Sequence, residues 1–328
     1  MGLADHLRPW DSFSHFSEEQ LEAVAACMSR SHFPEGASVM RKGDPTQEAY
    51  LIESGEVAIQ RATAYGDFRL AALGPGEIFG ETAFIDGGDR SGDAVTGSEC
   101  DLLAMNPVAL RALVEDDVQI HLALYWTFWK SLSSKLRRTN ERLTRFFSES
   151  GVARPEAVHR AHRDVAASFR VALQDKRRLF EEQRLSSLEI NFLTSLSKER
   201  KLEGGEVIFR EGDPGDAMYV VLDGRVMISK FIPGAGEEAL AFLERGDYFG
   251  EMALIDHQPR SADAQADAGG AVVLSIPGAV LEGILDIRKV SSLRLLRLLC
   301  SLVARRLREL DDKIVGWYII AGGQPEEG

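Results

Sequence analysis

The sequence has few cysteines and no long apolar segment. Its three cysteines, Cys27, Cys100 and Cys300, lie far apart among 328 residues and include no pair with metal-binding spacing. No apolar run approaches the ~20 residues that cross a bilayer, and the first residues lack the apolar core of a signal peptide. These absences argue against secreted, disulfide-stapled, zinc-binding and membrane-spanning proteins, and they predict a cytoplasmic protein without a metal.

Basic residues are outnumbered by acidic ones. Lys and Arg number 38 against 51 Asp and Glu, which gives a net charge of −13. A chain this acidic repels nucleic-acid phosphates. The 11 residues after Trp317 are too few for a DNA-reading domain. We therefore expect no DNA binding. The serine-elbow, zinc-protease and phosphate-loop motifs are also absent from the sequence, which predicts a protein that is not an enzyme.

An internal repeat organises the chain. Residues 33–57 align without a gap to residues 202–226, and residues 75–94 align to residues 245–264 after one inserted residue. The aligned positions include glycines, charged residues and apolar residues, so a chance match is a poor explanation. The pattern indicates a duplicated domain rather than a solenoid of short units.

Each copy has the pattern of a β-domain flanked by helices. Short apolar runs are separated by Gly, Asp and Pro turn signals, which is typical of a sandwich or small barrel. The clearest runs are residues 49–52, 57–59, 219–222 and 226–228. Ser17 and Gln20 form a capping box that predicts a helix before the first copy, and Ser187 marks its counterpart before the second.

Apolar heptads follow both copies. The first comprises Leu122, Tyr125, Trp129, Leu132, Leu136, Thr139, Leu143 and Phe146, and the second comprises Leu293, Leu296, Cys300, Val303, Leu307, Leu310, Ile314 and Trp317. This length is sufficient for a coiled coil, so residues 293–317 predict a homodimer seam. A helix that packs on its own chain needs the same apolar stripe and is the alternative.

Residues 130–180 are unusually basic. They hold 13 basic and 5 acidic residues, a local net charge of +8 in an acidic chain. One interpretation is a pair of solvated helices whose arginines face the acidic domains. The other is a docking face for an acidic protein effector.

Residues 248–264, the second cassette, combine a glycine, an acid and a base in a fixed order. Gly250 lets the backbone approach a ligand closely, and Arg260 offers a planar fork to phosphate oxygens. Ser261 adds a hydroxyl donor. Glu251 would repel a free phosphate but would accept a hydrogen bond from a sugar hydroxyl. A nucleotide carries both groups and satisfies both side chains.

The second cassette, FGEMALIDHQPRSADA, resembles the phosphate-binding cassette of cyclic nucleotide-binding domains, a family that includes the catabolite activator protein and the regulatory subunits of cyclic-AMP-dependent protein kinase. The resemblance covers both copies and their flanking helices, about residues 11–148 and 180–320. It implies a mixed α+β fold with two jelly-roll β-barrels and flanking and linking helices. The predicted organisation is a first domain with its C-terminal helix at 11–148, a basic helical linker at 149–184 and a second domain with its C-terminal helix at 185–320.

The resemblance also implies the ligand and the residues that bind it. In this family the residue matching Glu251 binds the ribose 2′-hydroxyl and the residue matching Arg260 binds the cyclic phosphate. The implied ligand-binding residues are Gly250, Glu251, Met252, Ala253, Arg260 and Ser261, together with Gly80, Glu81, Thr82, Ala83, Arg90 and Ser91 of the first cassette, residues 78–94. An empty domain in which Glu and Arg pair with each other is the alternative.

The first cassette departs from the family pattern at Thr82 and Gly92. The run Gly87, Gly88 and Asp89 makes its loop costlier to order, and the acid is expected to compete for Arg90. We therefore expect a weaker first site.

Residues 302–324, LVARRLRELDDKIVGWYIIAGGQ, resemble the dimer helix of the activator protein, especially at ARRL and KIVG. Asp311 is positioned to accept a hydrogen bond from an exocyclic amino group, and Trp129, Trp317 and Tyr318 are candidates to cover the base. The resemblance favours cyclic AMP over cyclic GMP, because the second cassette contains the sequence PRSA near its end.

The sequence thus predicts a sensor that signals to a protein partner when Phe84 or Leu254 repacks against a helix. A scaffold that no longer binds nucleotide and a regulatory subunit of an enzyme are the alternatives.

Overall fold

The computed structural model describes residues 2–147, 169–232, 236–284, 293–320 and 322. Its helices are α1 Leu3–Leu7, α2 Glu18–Ala26, α3 Glu81–Asp86, α4 Pro107–Asp116, α5 Val118–Phe147, α6 Leu173–Glu182, α7 Ser187–Leu196, α8 Met252–Asp256, α9 Gly278–Ile284 and α10 Leu293–Ile320. Its strands are β1 Met28–Phe33, β2 Ser38–Met40, β3 Ala49–Ser54, β4 Val57–Thr63, β5 Gly66–Leu73, β6 Ile78–Phe79, β7 Asp93–Thr96, β8 Cys100–Met105, β9 Lys198–Leu202, β10 Val207–Phe209, β11 Ala217–Ile232, β12 Gly236–Leu243, β13 Tyr248–Phe249 and β14 Asp263–Pro277. Within those ranges no helix is long and apolar enough to cross a membrane.

The first copy is built from two antiparallel four-stranded sheets. Their strand orders are β1-β8-β3-β6 and β2-β7-β4-β5. Apolar side chains from both sheets form one core, in which Ile52, Val57, Leu73 and Leu102 are fully buried. Along these strands, side chains that point into the core alternate with side chains that point outward. This period of two explains why the short apolar runs fold as strands rather than helices.

The second copy forms one six-stranded sheet. Its central strands, β11 and β14, are long and pair with each other in antiparallel register. Register shifts near Asp223 and Gly224 bend this pair. Each long strand corresponds to two separate strands of the first copy. The mixed α+β fold with tandem domains is confirmed, although the sheets that the described strands form do not close into barrels.

Helix caps lie close to the predicted positions. Ser17 accepts a hydrogen bond from the Gln20 N–H, and the Gln20 side chain accepts one from the Ser17 N–H, so this capping box is confirmed. The box before the second copy begins at Ser186 and pairs with Glu189, one residue earlier than the predicted Ser187. The sequence motif S-x-x-E fits Ser186 because the acid must fall at the third helical position.

The chain divides into two compact units. The first contains Met1–Thr139 and Leu299–Gly328, and the second contains Asn140–Leu298. This division differs from the predicted boundaries at 148, 184 and 320, because the larger part of α10 belongs to the first unit. Residue 148 of the predicted first domain and residues 149–168 of the predicted linker lie outside the described residues.

The apolar stripe of α10 is buried inside the single chain. Its buried heptad positions are Leu296, Cys300, Val303, Leu307, Leu310 and Ile314. In the first unit, the Cys300 Sγ lies 3.2 Å from the backbone carbonyl oxygen of Tyr125 on α5. Burial raises the pKa of the Cys300 thiol, because the charged form would lose its hydration. The stripe therefore needs no second copy of the chain to cover it, and the homodimer stays a prediction.

Several basic residues of the segment 130–180 pair with acids of their own unit. Their pairs are Lys130 with Asp11, Lys135 with Glu81, Arg138 with Glu77, Lys176 with Glu199, Arg177 with Glu181 and Arg178 with Glu182. This pattern follows the interpretation in which the arginines and lysines face acids of the same chain. Arg154, Arg160 and Arg163 lie outside the described residues.

A substitution at Gly55 would test how tightly the turn that contains this residue is packed. Its φ is +87°, and an added Cβ would lie 2.3 Å from the Glu99 carbonyl oxygen. Gly43 has nearly the same φ, +85°, but open space around it. We expect Gly43→Ala to lower the free energy of unfolding by about 1–2 kcal/mol, the cost of left-handed backbone. Gly55→Ala should cost clearly more, measured by urea denaturation, and equal losses would contradict the packing described.

Candidate functional site

Both cassettes have the same backbone design. A two-residue strand ends at a glycine with left-handed φ, 79° at Gly80 and 75° at Gly250, and a short helix follows. The glycines are required because an added Cβ would lie 2.7 Å from an arginine nitrogen of the same cassette, Arg90 or Arg260. The turn thus brings a helix start and a buried arginine together.

Arg260 is buried with incomplete hydrogen bonding. Its Nη1 donates to the Gly250 carbonyl at 2.5 Å and its Nη2 to the Ala217 carbonyl at 2.7 Å. The guanidinium lies 4.3 Å from the centre of the Phe209 ring. The Nε, by contrast, has no hydrogen-bond partner in the described part of the chain. Burial lowers the pKa of Arg260 because desolvation disfavours the charged form.

Arg90 occupies the same position in the first copy with a fuller set of partners. Its Nε donates to the Thr46 Oγ1 at 3.0 Å, and its Nη1 donates to the carbonyls of Glu48 and Gly80 at 2.7 and 3.1 Å. Its Nη2 forms an ion pair with the Glu48 carboxylate at 3.1 Å. Burial lowers the pKa of Arg90 as well.

The acid that competes for Arg90 is therefore Glu48 and not the adjacent Asp89. The carboxylates whose charges act on Arg90 are those of Glu48 and Asp44, while the backbone carbonyl of Asp89 accepts a hydrogen bond from Arg308 at 2.9 Å. In the repeat alignment Glu48 corresponds to Ala217, so the second copy has no carboxylate at this point. The first arginine forms an ion pair with a carboxylate. The second donates its hydrogen bonds to carbonyl oxygens, and the charges of Asp216, Glu251 and Asp213 act on it from nearby.

The cassette glutamates are almost fully buried, Glu81 at 1% and Glu251 at 2% exposure. The Glu81 carboxylate accepts a hydrogen bond from the Ser131 Oγ at 3.0 Å and forms an ion pair with Lys135. Both partners project from α5. Burial lowers the pKa of Arg260, and the charge of Glu251 is one of several that oppose this shift, after those of Tyr219 and Asp216.

The remaining predicted residues lie in or beside the cassette helices. Ala83, Met252 and Ala253 are buried, and Thr82 and Ser91 are half-buried. The Ser261 hydroxyl accepts a hydrogen bond from the Asn140 amide at 3.2 Å and lies 4.0 Å from the Met252 sulfur.

The matches to known proteins follow these two cassettes. Residues 30–117 and 199–288 match the cyclic nucleotide-binding domain family. The chain belongs to the cyclic nucleotide-binding domain family. A cAMP-dependent protein kinase regulatory subunit of Dictyostelium discoideum is 27% identical over 255 residues, covering 76% of this chain and 63% of that protein.

Two further relatives differ in their named nucleotide. A cGMP-dependent protein kinase of Toxoplasma gondii is 26% identical over 273 residues, covering 83% of this chain and 22% of that protein. A cyclic AMP receptor protein of Thermus thermophilus is 37% identical over 94 residues, covering 28% of this chain and 44% of that protein. The chain spans less than two thirds of the length of these relatives. Its cyclic nucleotide-binding domains match proteins named for cyclic AMP and for cyclic GMP.

The candidates for covering the base have different surroundings. Trp129 is buried in α5 against Trp126, with ring centres 5.4 Å apart. In the first unit, the Tyr318 ring packs against Phe68 of β5, with ring centres 4.4 Å apart. Asp312, the neighbour of the predicted Asp311, forms an ion pair with Arg61 at 2.7 Å.

Sequence reasoning missed four polar residues around the two cassettes. They are Glu48, Arg61, Lys135 and Lys230. Arg61 and Lys230 become equivalent when the alignment of residues 33–57 is continued by four residues, and the strand register agrees, because Gln60 pairs with Asp93 and Ser229 with Asp263. A comparison of the two copies could therefore have found them. Among the described residues, no group of three or more potential ligands is arranged to hold a metal ion.

Lys135 tests the pairing of Glu81. The Glu81 side chain is 1% exposed and that of Lys135 is 13% exposed, so Lys135→Met leaves a buried carboxylate without its cation. We expect a loss of about 2–4 kcal/mol in the free energy of unfolding, partly restored by adding Glu81→Gln. The control is Lys130→Met on the same helix, whose partner Asp11 is 88% exposed, so its loss should stay within about 0.5 kcal/mol. Similar losses for both lysines would refute the pairing.

Proposed function

We propose that the chain is a cytoplasmic cyclic nucleotide sensor whose second cassette is the stronger site. The observation that carries this proposal is the state of Arg260, a 4% exposed guanidinium whose Nε has no partner among the described residues. A buried cation with an open donor is suited to an anionic ligand that completes its hydrogen bonding. A cyclic phosphate is such an anion.

The proposed roles assign one ligand group to each charged residue. Arg260 binds the cyclic phosphate and Glu251 the ribose 2′-hydroxyl. Gly250, Met252, Ala253 and Ser261 contribute backbone or hydroxyl donors. The proposed ligand is cyclic AMP rather than cyclic GMP, because of the sequence PRSA near the end of the second cassette. Since the relatives are named for either nucleotide, both are included in the binding experiment.

The first cassette is proposed to bind the same ligand more weakly, through Glu81, Arg90 and the matching Gly80, Thr82, Ala83 and Ser91. The bound phosphate must displace or share the Arg90–Glu48 ion pair, which the second copy lacks. The ribose 2′-hydroxyl must in turn compete with Lys135 for the Glu81 carboxylate. Both contacts reduce the free energy that a nucleotide gains on binding.

Calorimetry on single variants tests the two sites. Arg260→Ala should weaken the tighter binding of cyclic AMP by about 2–5 kcal/mol, which is tens to thousands-fold in affinity. Glu48→Ala should tighten the weaker binding by about 3–10-fold, because a competing carboxylate is removed. Glu56→Ala is the matched control, since its partner Arg69 is 55% exposed in the same copy. A wild-type protein that binds neither cyclic AMP nor cyclic GMP would instead favour the scaffold alternative.

Signalling is proposed to run from each cassette helix into the helix packed against it. The Phe84 ring meets the Phe128 ring of α5 edge-to-face, with centres 5.4 Å apart. In the second copy, the Leu254 side chain lies against Gly278 at the start of α9, where an added Cβ would be 3.0 Å away. Such tight contacts respond to a cassette movement by discrete repacking.

Hydrogen exchange tests this route. Cyclic AMP should change amide exchange in α5 and α10 as well as in the cassettes, because a ligand stabilises the helix packing that favours its binding. Phe84→Ala should reduce the change in α5 more than it reduces affinity, whereas Phe242→Ala, at an exposed position, should not. Exchange changes confined to the cassette residues would show that binding is not transmitted.

A regulatory subunit of a protein kinase is the second candidate function. It is favoured by the match to the regulatory subunit of Dictyostelium discoideum. Its docking face would be the basic segment 130–180, and a pull-down at low and high salt would test it, since charge-driven docking weakens with salt.

A further inference from the structure

Arg61 is a buried cation beside the first cassette. It lies on β4, is 5% exposed, and its Nε is 3.8 Å from the position that a Cβ on Gly92 would occupy. Gly92 follows Ser91, so Arg61 borders the part of the cassette that carries Arg90. A guanidinium here loses its hydration and needs fixed partners.

Only part of that need is met by the protein. The Arg61 Nη2 donates to the Asp312 carboxylate at 2.7 Å. The Nε has no hydrogen-bond partner within the described ranges, although it is fully shielded from water. Buried donors without partners are rare in folded proteins, and an unfilled ligand position is one explanation.

At the corresponding position of the second copy, the cation is a lysine whose partners lie in the same copy. Lys230 corresponds to Arg61 and is 3% exposed. Its amine donates to the Glu211 carboxylate at 2.7 Å and to the Ser261 carbonyl at 3.3 Å. Lys42 corresponds to Glu211, so Arg61 has no acid of this kind on its own copy. The partner of Arg61 comes from α10 instead.

The helix α10 is held along the first cassette at more than one point. Arg308, one turn before Asp312, donates to the Asp86 carboxylate at 3.0 Å and to the Asp89 carbonyl at 2.9 Å. Residues four apart share a helix face, so one face of α10 contacts both the cassette loop and β4. Arg308 also orders the loop whose glycines would otherwise make it costly to fix.

We propose that Arg61, positioned by Asp312, is a further ligand-binding residue of the first site and donates to an acceptor atom of the nucleotide base. This inference rests on the proposed function, in which Arg90 takes the phosphate and Glu81 the ribose. The base is then the part of the ligand that still offers acceptors, and adenine and guanine both do so. The first site is thus completed by a helix that follows the second copy in the chain.

Competition binding in an Arg260→Ala background isolates the first site. The probes are cyclic AMP and methyl riboside 3′,5′-cyclic phosphate, which keeps the sugar and phosphate but has no base. Arg61→Ala should weaken cyclic AMP at least tenfold and leave the base-free probe unchanged. Asp312→Ala should weaken cyclic AMP about threefold or more, and it should have no further effect when Arg61→Ala is present.

Controls separate a contact from a folding defect. Arg30→Ala removes a 48% exposed arginine from the same copy and should bind like the background. The Asp312 side chain is 65% exposed, so Asp312→Ala retains the fold and carries the test if Arg61→Ala melts early. Unchanged cyclic AMP affinity, or equal weakening of both probes, would overturn the inference while leaving the proposed function intact. Absence of binding in the background itself would overturn the proposed function of the first site, and this inference with it.

Discussion

The burial of one arginine in each copy is the constraint on which both sites depend. A guanidinium loses its hydration there, and only fixed hydrogen-bond acceptors recover part of that free energy. The carbonyls of Gly80 and Gly250 are among those acceptors, and both residues have a left-handed φ that an L side chain would strain. Turn, cassette helix and arginine are therefore inseparable, because any side chain at the glycine would collide with the cation it supports.

Duplication has kept this backbone and changed the charges around it. In the first copy Thr46 and Glu48 complete the hydrogen bonding of Arg90, whereas the second has Gly215 and Ala217 at those positions. An added Cβ on Gly215 would lie 2.2 Å from the Ala253 Cβ, so the second cassette has closed into the space that Thr46 occupies in the first. The two sites thus share one backbone geometry but differ in how far protein groups already satisfy the hydrogen bonding and charge of the arginine.

The sequence predicted the repeat, the strands and the cassettes well because each depends on local order. Glycine positions, apolar alternation and the Gly-Glu spacing are properties of neighbouring residues. The pairs Arg61 with Asp312 and Lys135 with Glu81 were not predicted, because nothing local shows which distant charges meet. The heptad of α10 was also ambiguous for a physical reason. An apolar stripe specifies burial, and a second chain or the same chain buries it equally well.

The first compact unit is discontinuous in the chain, since it joins Met1–Thr139 to Leu299–Gly328. Arg61 and Asp312, which it brings together, are 251 residues apart. A chain made from its N-terminus must therefore synthesise the whole second copy before the first unit is complete. Until then the surface of α5 that receives Cys300 stays uncovered, and the incomplete chain exposes apolar side chains. The order of synthesis thus makes the earliest domain the last to finish folding.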